Sequence, residues 1–103
     1  KDMSTNVRVA YRVGSGPLVD SISSVTISGT RIRGINTSGI GTFLFTGVAT
    51  DVYGNTKGSN IRFTTLSGDT NADIGIPERG VYMASEVFLS APTSAATATI
   101  FYG

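Results

Sequence analysis

Apolar and polar residues alternate along most of this chain, which is the pattern of β-strands that turn one face toward a core. In residues 5–13 (TNVRVAYRV) the larger apolar side chains share one face of the predicted strand: Val7, Val9, Tyr11 and Val13. The segment therefore predicts a half-buried strand, with Arg8, Ala10 and Arg12 on its other face. GSGP at 14–17 predicts a loop after it, because Gly and Pro interrupt regular structure.

The middle of the chain predicts further strands. Apolar residues spaced along 22–35 indicate two strands that meet around Gly29. Residues 41–50 (GTFLFTGVAT) are apolar on both faces and predict a central buried strand, with Gly47 at a bulge or a close backbone approach. Residues 51–60 (DVYGNTKGSN) predict a surface loop, since Gly and Asn tolerate positive φ.

The last third repeats the alternation. Residues 61–66 predict a strand, and SGDTNAD at 67–73 predicts a turn. Pro77 fixes φ and lacks an amide donor, so we expect it to end a short strand at 74–76 or to lie on a sheet edge. Gly80 then turns the chain into a strand whose inward residues share one face: Val81, Met83, Ser85, Val87 and Leu89. The closing TATIFYG places Ala98, Ile100 and Tyr102 together on one face.

About eight short strands separated by turns predict an all-β fold, either a small antiparallel β-sandwich or a jelly-roll-like barrel. At 103 residues the chain is long enough for one domain with a thin core. We divide it into an N-terminal strand or arm at 1–13 and a single sandwich domain at 14–103. The alternation of the first segment and the hinge at Gly14 suggest that the arm adds to the sheet edge of a neighbouring molecule.

Charge and composition narrow the possible partners. The net charge of +1 provides no electrostatic footprint for nucleic acid or for an anionic membrane. No stretch reaches the roughly 18 consecutive apolar residues of a membrane helix. We therefore expect contacts with neutral protein surfaces, without nucleic acid or membrane. Because Tyr is favoured at interfaces, the predicted contact residues are Tyr53 and Asn55 in the 51–60 loop together with Val7, Val9, Tyr11 and Val13. Arg8, Arg12, Arg31 and Arg33 are further candidates, and ordinary solvated strand faces are the default interpretation.

Few reactive groups are present. The chain has no Cys and no His, which removes thiolate chemistry and the commonest general base and metal ligand. Asp69, Asn71 and Asp73 have the spacing of a calcium loop, but Ile74 and Gly80 occupy the positions that require Gly and Glu, so a polar turn is favoured. Glu78 and Glu86 offer two carboxylates of the kind used in glycoside hydrolysis, and solvation or an ion pair is favoured for them. We expect no enzymatic activity, no metal and no cofactor.

Several motifs in the last two thirds of the chain occur together. GTFLFTG is followed by an Ile-Pro-x-x-Gly-Val turn at Ile76–Val81, then Tyr82, and finally Phe101, Tyr102 and Gly103. This order resembles a class of small tailed-phage virion structural proteins, over roughly residues 15–103. The opening segment through Val13 departs from that pattern.

The resemblance implies a virion structural part. The expected function is that of a capsid decoration (cement) protein, which binds the outer surface of a phage head, contacts the major capsid protein or other virion proteins, and forms a homo-oligomer such as a trimer. A receptor-binding module of a tail or fibre is one alternative. An extracellular pilin completed by a donated strand is another, since Tyr102 is the penultimate residue. A carbohydrate-binding module is weaker because the chain has no Trp.

Overall fold

The computed structural model describes residues 7–66, 71–77 and 79–103, and these residues form strands and turns but no helix. The strands, in chain order, are β1 (Arg8–Val13), β2 (Gly16–Pro17), β3 (Val19–Asp20), β4 (Ser28–Ser38), β5 (Gly41–Thr46), β6 (Ala49–Thr50), β7 (Thr56–Lys57), β8 (Asn60–Thr65), β9 (Asn71–Ile74), β10 (Val81–Glu86), β11 (Phe88–Ser90) and β12 (Thr97–Tyr102). Within this part of the chain, no helix is long and apolar enough to cross a membrane.

The strands form two main antiparallel sheets and a small hairpin. The larger sheet has the order β10-β4-β12-β1-β3, and β9 also pairs with β4. The smaller sheet has the order β2-β11-β5-β8, and β6 pairs with β7 alone. The predicted all-β antiparallel sandwich is confirmed. The described strands outnumber the eight expected because several are two-residue segments and because one predicted strand is divided between the two sheets.

A single apolar core joins the inward faces of the two sheets. The larger sheet contributes Ile32, Ile35 and Ile100, and the smaller sheet contributes Phe43 and Phe45, all of them buried. The Phe63 ring on β8 stacks against Phe43 at 5.4 Å and against Phe45 at 6.1 Å between ring centroids. β5 lies inside its sheet as predicted, and the predicted inward residues of β12 are buried.

One continuous segment passes from the larger sheet to the smaller. β10 pairs with β4, β11 pairs with β5, and Val87 joins them. The register of β10 shifts between Met83 and Glu86, and bulges of this kind bend a strand where it changes sheets. Because Met83, Val87 and Leu89 are all buried, the shared inward face predicted for this segment is retained across the corner.

The turn around Pro77 interrupts the edge of the larger sheet. β9 and β10 pair with the same side of β4, with Ile74 opposite Ile35 and Val81 opposite Ile32. Residues 75–77, 79 and 80 lie outside the ladder, and the Gly80 amide donates to Pro77 O at 2.7 Å. Gly80 has φ +79°, as its predicted role as a turn residue requires. The predicted strand at 74–76 is wrong: the strand is Asn71–Ile74, because its partner on β4 ends this register at Ile35.

The predicted strands around Gly29 are also placed differently. β4 begins at Ser28 and continues through Gly29, so this glycine lies inside a strand and does not separate two. Ile22 and Val25 are exposed, because the chain turns at Asp20–Ser24. The Asp20 carboxylate accepts hydrogen bonds from the amides of Ile22 and Ser23, both at 2.9 Å, and this local bonding replaces a sheet ladder.

The first strand lies inside the larger sheet of its own chain. β1 pairs with β12 along its full length, from Arg8 opposite Tyr102 to Val13 opposite Thr97, and with β3 on its other side. Residues 8–13 therefore belong to the same sandwich as the rest of the described chain. An arm that added to a neighbour's sheet would have to give up this pairing.

The segment predicted as a loop at 51–60 contains the turn and second strand of a hairpin. Its base is fixed to β10, where the Ala84 amide donates to Gly47 O at 2.7 Å. A Cβ on Gly47 would overlap the buried side chain of Met83, which confirms the close approach predicted at that glycine. Gly58, at φ +88°, lies so near Gly47 O that an added Cβ would overlap it. The 49–57 hairpin, formed by β6, β7 and their turn, therefore has a tightly packed base.

This packing gives a direct test of the hairpin base. Gly58→Ala and Gly54→Ala introduce the same methyl group at nearly the same backbone angle, φ +88° and +85°, but Gly54 has nothing within 4 Å. We expect Gly54→Ala to lower the free energy of unfolding by about 1 kcal/mol through backbone strain. Gly58→Ala should cost roughly 1–3 kcal/mol more, because its methyl group also has to displace backbone atoms. Urea denaturation of both variants measures the difference, and equal losses would contradict the packed base.

Candidate functional site

The outward side of β1 carries an apolar stripe, here called the β1 face: Val7, Val9, Tyr11 and Val13. Val7, Tyr11 and Val13 are exposed and Val9 is half-buried, whereas Ala10 on the opposite face is buried. The register between β1 and β12 explains why this face of β1 points outward. Ala10 lies opposite Ile100, and residues directly opposite in a sheet share a face, so the core position of Ile100 turns Ala10 inward and the valines outward.

Phe101 extends the β1 face onto the neighbouring strand. It lies directly opposite Val9, and it is 40% exposed. On its other side it lies opposite Gly34, where an added Cβ would be 3.3 Å from the Phe101 ring. The Phe101 ring therefore covers Gly34. It fills the space beside a residue that has no side chain, so β12 and β4 pack closely there. The result is a continuous apolar surface on the outside of the larger sheet.

The tip of the 49–57 hairpin exposes two apolar side chains almost completely. Val52 is 92% exposed and Tyr53 is 85% exposed. These two residues are called the hairpin tip below. A pair of large apolar side chains extended into water on a short turn differs from the scattered apolar residues normal on surfaces, since both are nearly free of contacts within the chain.

Asp51 holds the turn behind the hairpin tip in one conformation. Its carboxylate accepts hydrogen bonds from the amides of Tyr53 and Asn55, each at 2.9 Å. Its backbone amide donates to Asn55 O at 2.9 Å, and its carbonyl accepts from Gly54 at 3.1 Å. Lys57 Nζ lies 3.8 Å from the second carboxylate oxygen. The tip is thus presented in a defined geometry before any partner binds.

The predicted contact residues fall into two separate groups. Val9, Tyr11 and Val13 lie on β1 and Val7 directly precedes it. Tyr53 and Asn55 lie on the hairpin, whose base adjoins β10. Two strands, β4 and β12, separate β10 from β1 in the sheet. Tyr53 offers its side chain to solvent, whereas the backbone of Asn55 closes the turn. The structure therefore does not bring the six residues together.

Two exposed residues were missed as candidates. Val52 was included in the predicted loop without being singled out, and Ile22, also 92% exposed, was assigned to a strand. Each follows an aspartate whose carboxylate accepts turn amides, Asp51 and Asp20 respectively. An apolar residue directly after or two residues after such an aspartate is the sequence signal that would have identified both turns.

The 20–24 turn is fixed from below by the penultimate residue of the chain. The Tyr102 hydroxyl donates a short hydrogen bond to Asp20 Oδ2, while Oδ1 accepts from the turn amides. The Arg8 guanidinium lies 5.5 Å from the centre of the Tyr102 ring. The hydrogen bond from Tyr102, followed by those from the turn amides, lowers the pKa of Asp20 from 3.8 to about 2. Burial, followed by the bond to Asp20, raises the pKa of Tyr102 to about 12.

The residues considered for metal binding or catalysis lie in different parts of the chain. Asp69 and Glu78 lie outside the described residues, whereas Asn71 and Asp73 lie on β9 and not in the turn predicted there. Glu86 is exposed at the end of β10. The described ranges contain no cluster of three acidic, His or Cys side chains able to hold a metal ion.

Comparisons with known proteins do not assign a family or a function to this chain. No protein-family model matches the chain, and neither curated proteins nor solved structures give a match. The surfaces described above are therefore the basis for a functional proposal.

The link between Asp20 and Tyr102 predicts a pH dependence of stability. Because the folded pKa of Asp20 lies below its unfolded value, the unfolded chain binds more protons between those values, and stability falls as pH decreases from about 4 to about 2. For Tyr102 the folded pKa lies above the unfolded value of 10.0, so stability falls as pH rises from about 10 to about 12.

Tyr102→Phe should lower stability at neutral pH and flatten the acid loss, since it removes the largest cause of the Asp20 shift. Urea denaturation midpoints between pH 2 and 5 measure this change. Tyr82→Phe is the matched control, because Tyr82 lies on the same sheet beside Arg31 and away from Asp20. An acid loss in Tyr102→Phe as steep as in the wild type would contradict the proposed coupling.

Proposed function

We propose that this chain is a non-enzymatic structural protein of a virus particle, a decoration protein that binds the outer surface of a phage head and stabilises it. The observation that carries the proposal is the β1 face. It presents aromatic and valine side chains to solvent on a strand held by neighbours on both sides. A surface of this kind binds by shape and apolar burial, which is how a protein that stabilises a shell is expected to act.

The rigidity of the β1 face supports a role in assembly. β1 pairs with β12 through six consecutive residues and with β3 on its other edge, so its outward side chains occupy fixed positions. Binding by such a surface orders few additional groups, which reduces the entropic cost of association. Many weak contacts, repeated with the symmetry of a shell, then add up to a large stabilisation.

The electrostatics are consistent with a contact that does not depend on strong charge. The net charge is +1 for the whole chain. On the β1 face and on the neighbouring outward positions of β12 the side chains are apolar or Thr. The partner we propose is therefore a neutral, partly apolar area of the major capsid protein. Attachment to a tail would use the same chemistry, and localisation on particles separates the two possibilities.

Binding to heads tests the proposal directly. The double variant Tyr11→Ser/Val13→Ser removes two side chains that are 46% and 47% exposed, so the fold should be retained. We expect its affinity for phage heads lacking this protein to fall at least about tenfold, since interface residues that matter contribute more than 1 kcal/mol each. Co-sedimentation with the heads measures binding, and the temperature at which the heads open measures stabilisation.

Phe88→Ser is the matched control. Phe88 is 47% exposed, like Val13, but it lies on β11 in the smaller sheet. It should bind heads as the wild type does. If the wild-type chain fails to bind heads, or if both variants bind equally well, the proposed function or the proposed surface is wrong.

A further inference from the structure

We infer that this chain associates with itself in a head-to-tail manner, with the hairpin tip of one copy inserted into a groove beside the start of β1 in the next copy. The groove shares Val7 and Val9 with the β1 face, but self-association is measured on the purified chain without phage heads, so this inference is tested separately from the proposed function. It rests on a protruding group and a receiving groove that occur on the same chain.

The receiving site is a groove of about 450 Å³ between the start of β1 and the 20–24 turn. Its apolar lining comes from Val7, Val9 and Ile22, and its polar lining comes from Arg8, Asp20, Ser21 and Ser23. This groove is called the N-terminal groove below. Its two walls are fixed, one by the pairing of β1 with β12 and the other by the Asp20 carboxylate that holds the turn.

The inserting group is the hairpin tip. Val52 and Tyr53 are nearly fully exposed, and the turn that carries them is held by the hydrogen bonds to Asp51. The base of the hairpin cannot shift easily, because Gly58 packs against the backbone of Gly47 and Ala84. A fixed apolar projection loses little conformational freedom when it binds, so its burial contributes efficiently to association.

The two surfaces match in chemistry. Tyr has an apolar ring and a polar hydroxyl at its end, and the N-terminal groove combines an apolar wall with a wall that carries Ser21 and Ser23. The Asp20 carboxylate behind that wall already accepts from Tyr102 and from the turn amides. Val52 adds a second apolar contact for Ile22, whose side chain is 92% exposed in the single chain. Tyr is also among the residues that most often carry the binding energy of an interface.

A chain cannot fill its own groove with its own tip in this arrangement. The hairpin base adjoins β10, and the groove adjoins β1 and β3 at the other side of the sheet. With strands about 4.8 Å apart, β10 and β1 are separated by about 14 Å. The tip also remains almost wholly exposed within the chain. In the proposed contact the tip therefore meets the groove of another copy.

A contact between two different surfaces repeats from copy to copy. Such a heterologous contact generates a closed ring if the rotation between copies closes, and an open chain if it does not. The groove adjoins the end of the larger sheet where Tyr102 pairs with Arg8, and the hairpin base adjoins β10 through the bond from Ala84 to Gly47. Because Tyr11 and Val13 do not line the groove, a ring of this type would present these two residues of several copies at once.

Sedimentation velocity of the purified chain across a wide concentration range tests the inference. We expect the wild type to form species of more than one chain. Val52→Ser/Tyr53→Ser, which removes the tip, should weaken association at least about 30-fold, the effect of losing one strong interface residue. Val7→Ser/Ile22→Ser, which removes the apolar wall of the groove, should have the same effect. Since these side chains are exposed, both variants should fold.

Mixing the two variants distinguishes a head-to-tail contact from a symmetric one. The tip variant retains an intact groove and the groove variant retains an intact tip, so an equimolar mixture should form species of two chains that grow no further. Ile40→Ser/Leu66→Ser is the control, because it removes two exposed apolar side chains near the paired residues Gly41 and Thr65, away from both surfaces. It should associate like the wild type.

Three results would overturn the inference. The first is a wild-type chain that stays monomeric at every concentration. The second is a mixture of the two variants that remains monomeric while the wild type associates, which would indicate a symmetric contact. The third is a tip variant that associates normally but no longer binds phage heads, which would assign the hairpin tip to the shell and not to a second copy.

Discussion

The hydrogen bond from Tyr102 to Asp20 lies where the first strand, the last strand and the 20–24 turn meet. β12 occupies the middle of the larger sheet, so the Tyr102 ring packs in the core while its hydroxyl reaches the turn. A buried carboxylate and a buried hydroxyl would each be costly alone, but here each satisfies the other. The remaining carboxylate oxygen accepts hydrogen bonds from the turn amides. These bonds fix the position of Ile22, which forms part of the wall of the N-terminal groove.

Strands with regular alternation of apolar and polar residues could be predicted, because their apolar side chains determine which face of the strand is buried. β8 and β12 place apolar residues at alternate positions, such as Ile61 and Phe63 or Ala98 and Ile100, and these residues pack in or against the core. β1 shows where this reasoning fails. Its apolar residues are numerous on one face, yet the pairing of Ala10 with Ile100 turns the other face inward. The face of a strand is set by its neighbour's register whenever the strand's own buried residue is small, and the sequence of that strand alone does not contain this information.

The contact surfaces were only partly predictable for a related reason. Tyr53 could be found because an aromatic residue in a Gly- and Asn-rich segment stands out, and Val7 and Tyr11 because they alternate. Ile22 could not, because an isoleucine near Val25 and Ile27 has the appearance of a strand residue. Ile22 does not join a sheet because the Asp20 carboxylate accepts hydrogen bonds from the turn amides, which would otherwise pair with a neighbouring strand. Only the structure shows that these amides bind the Asp20 carboxylate and not a neighbouring strand.

The same features determine how the contacts should respond to conditions. Apart from Arg8 and Asp20 at the groove, the surfaces involved present apolar or hydroxyl side chains, and the groups with shifted pKa values titrate near 2 and 12, far from neutrality. Association through these surfaces is then governed by burial of apolar area, which depends weakly on salt and strongly on temperature and co-solvents. One rigid apolar face and one rigid apolar projection therefore suit the two proposed contacts, one with a larger surface through Tyr11 and Val13 and one with a second copy through the hairpin tip, because neither contact requires the domain to change its fold.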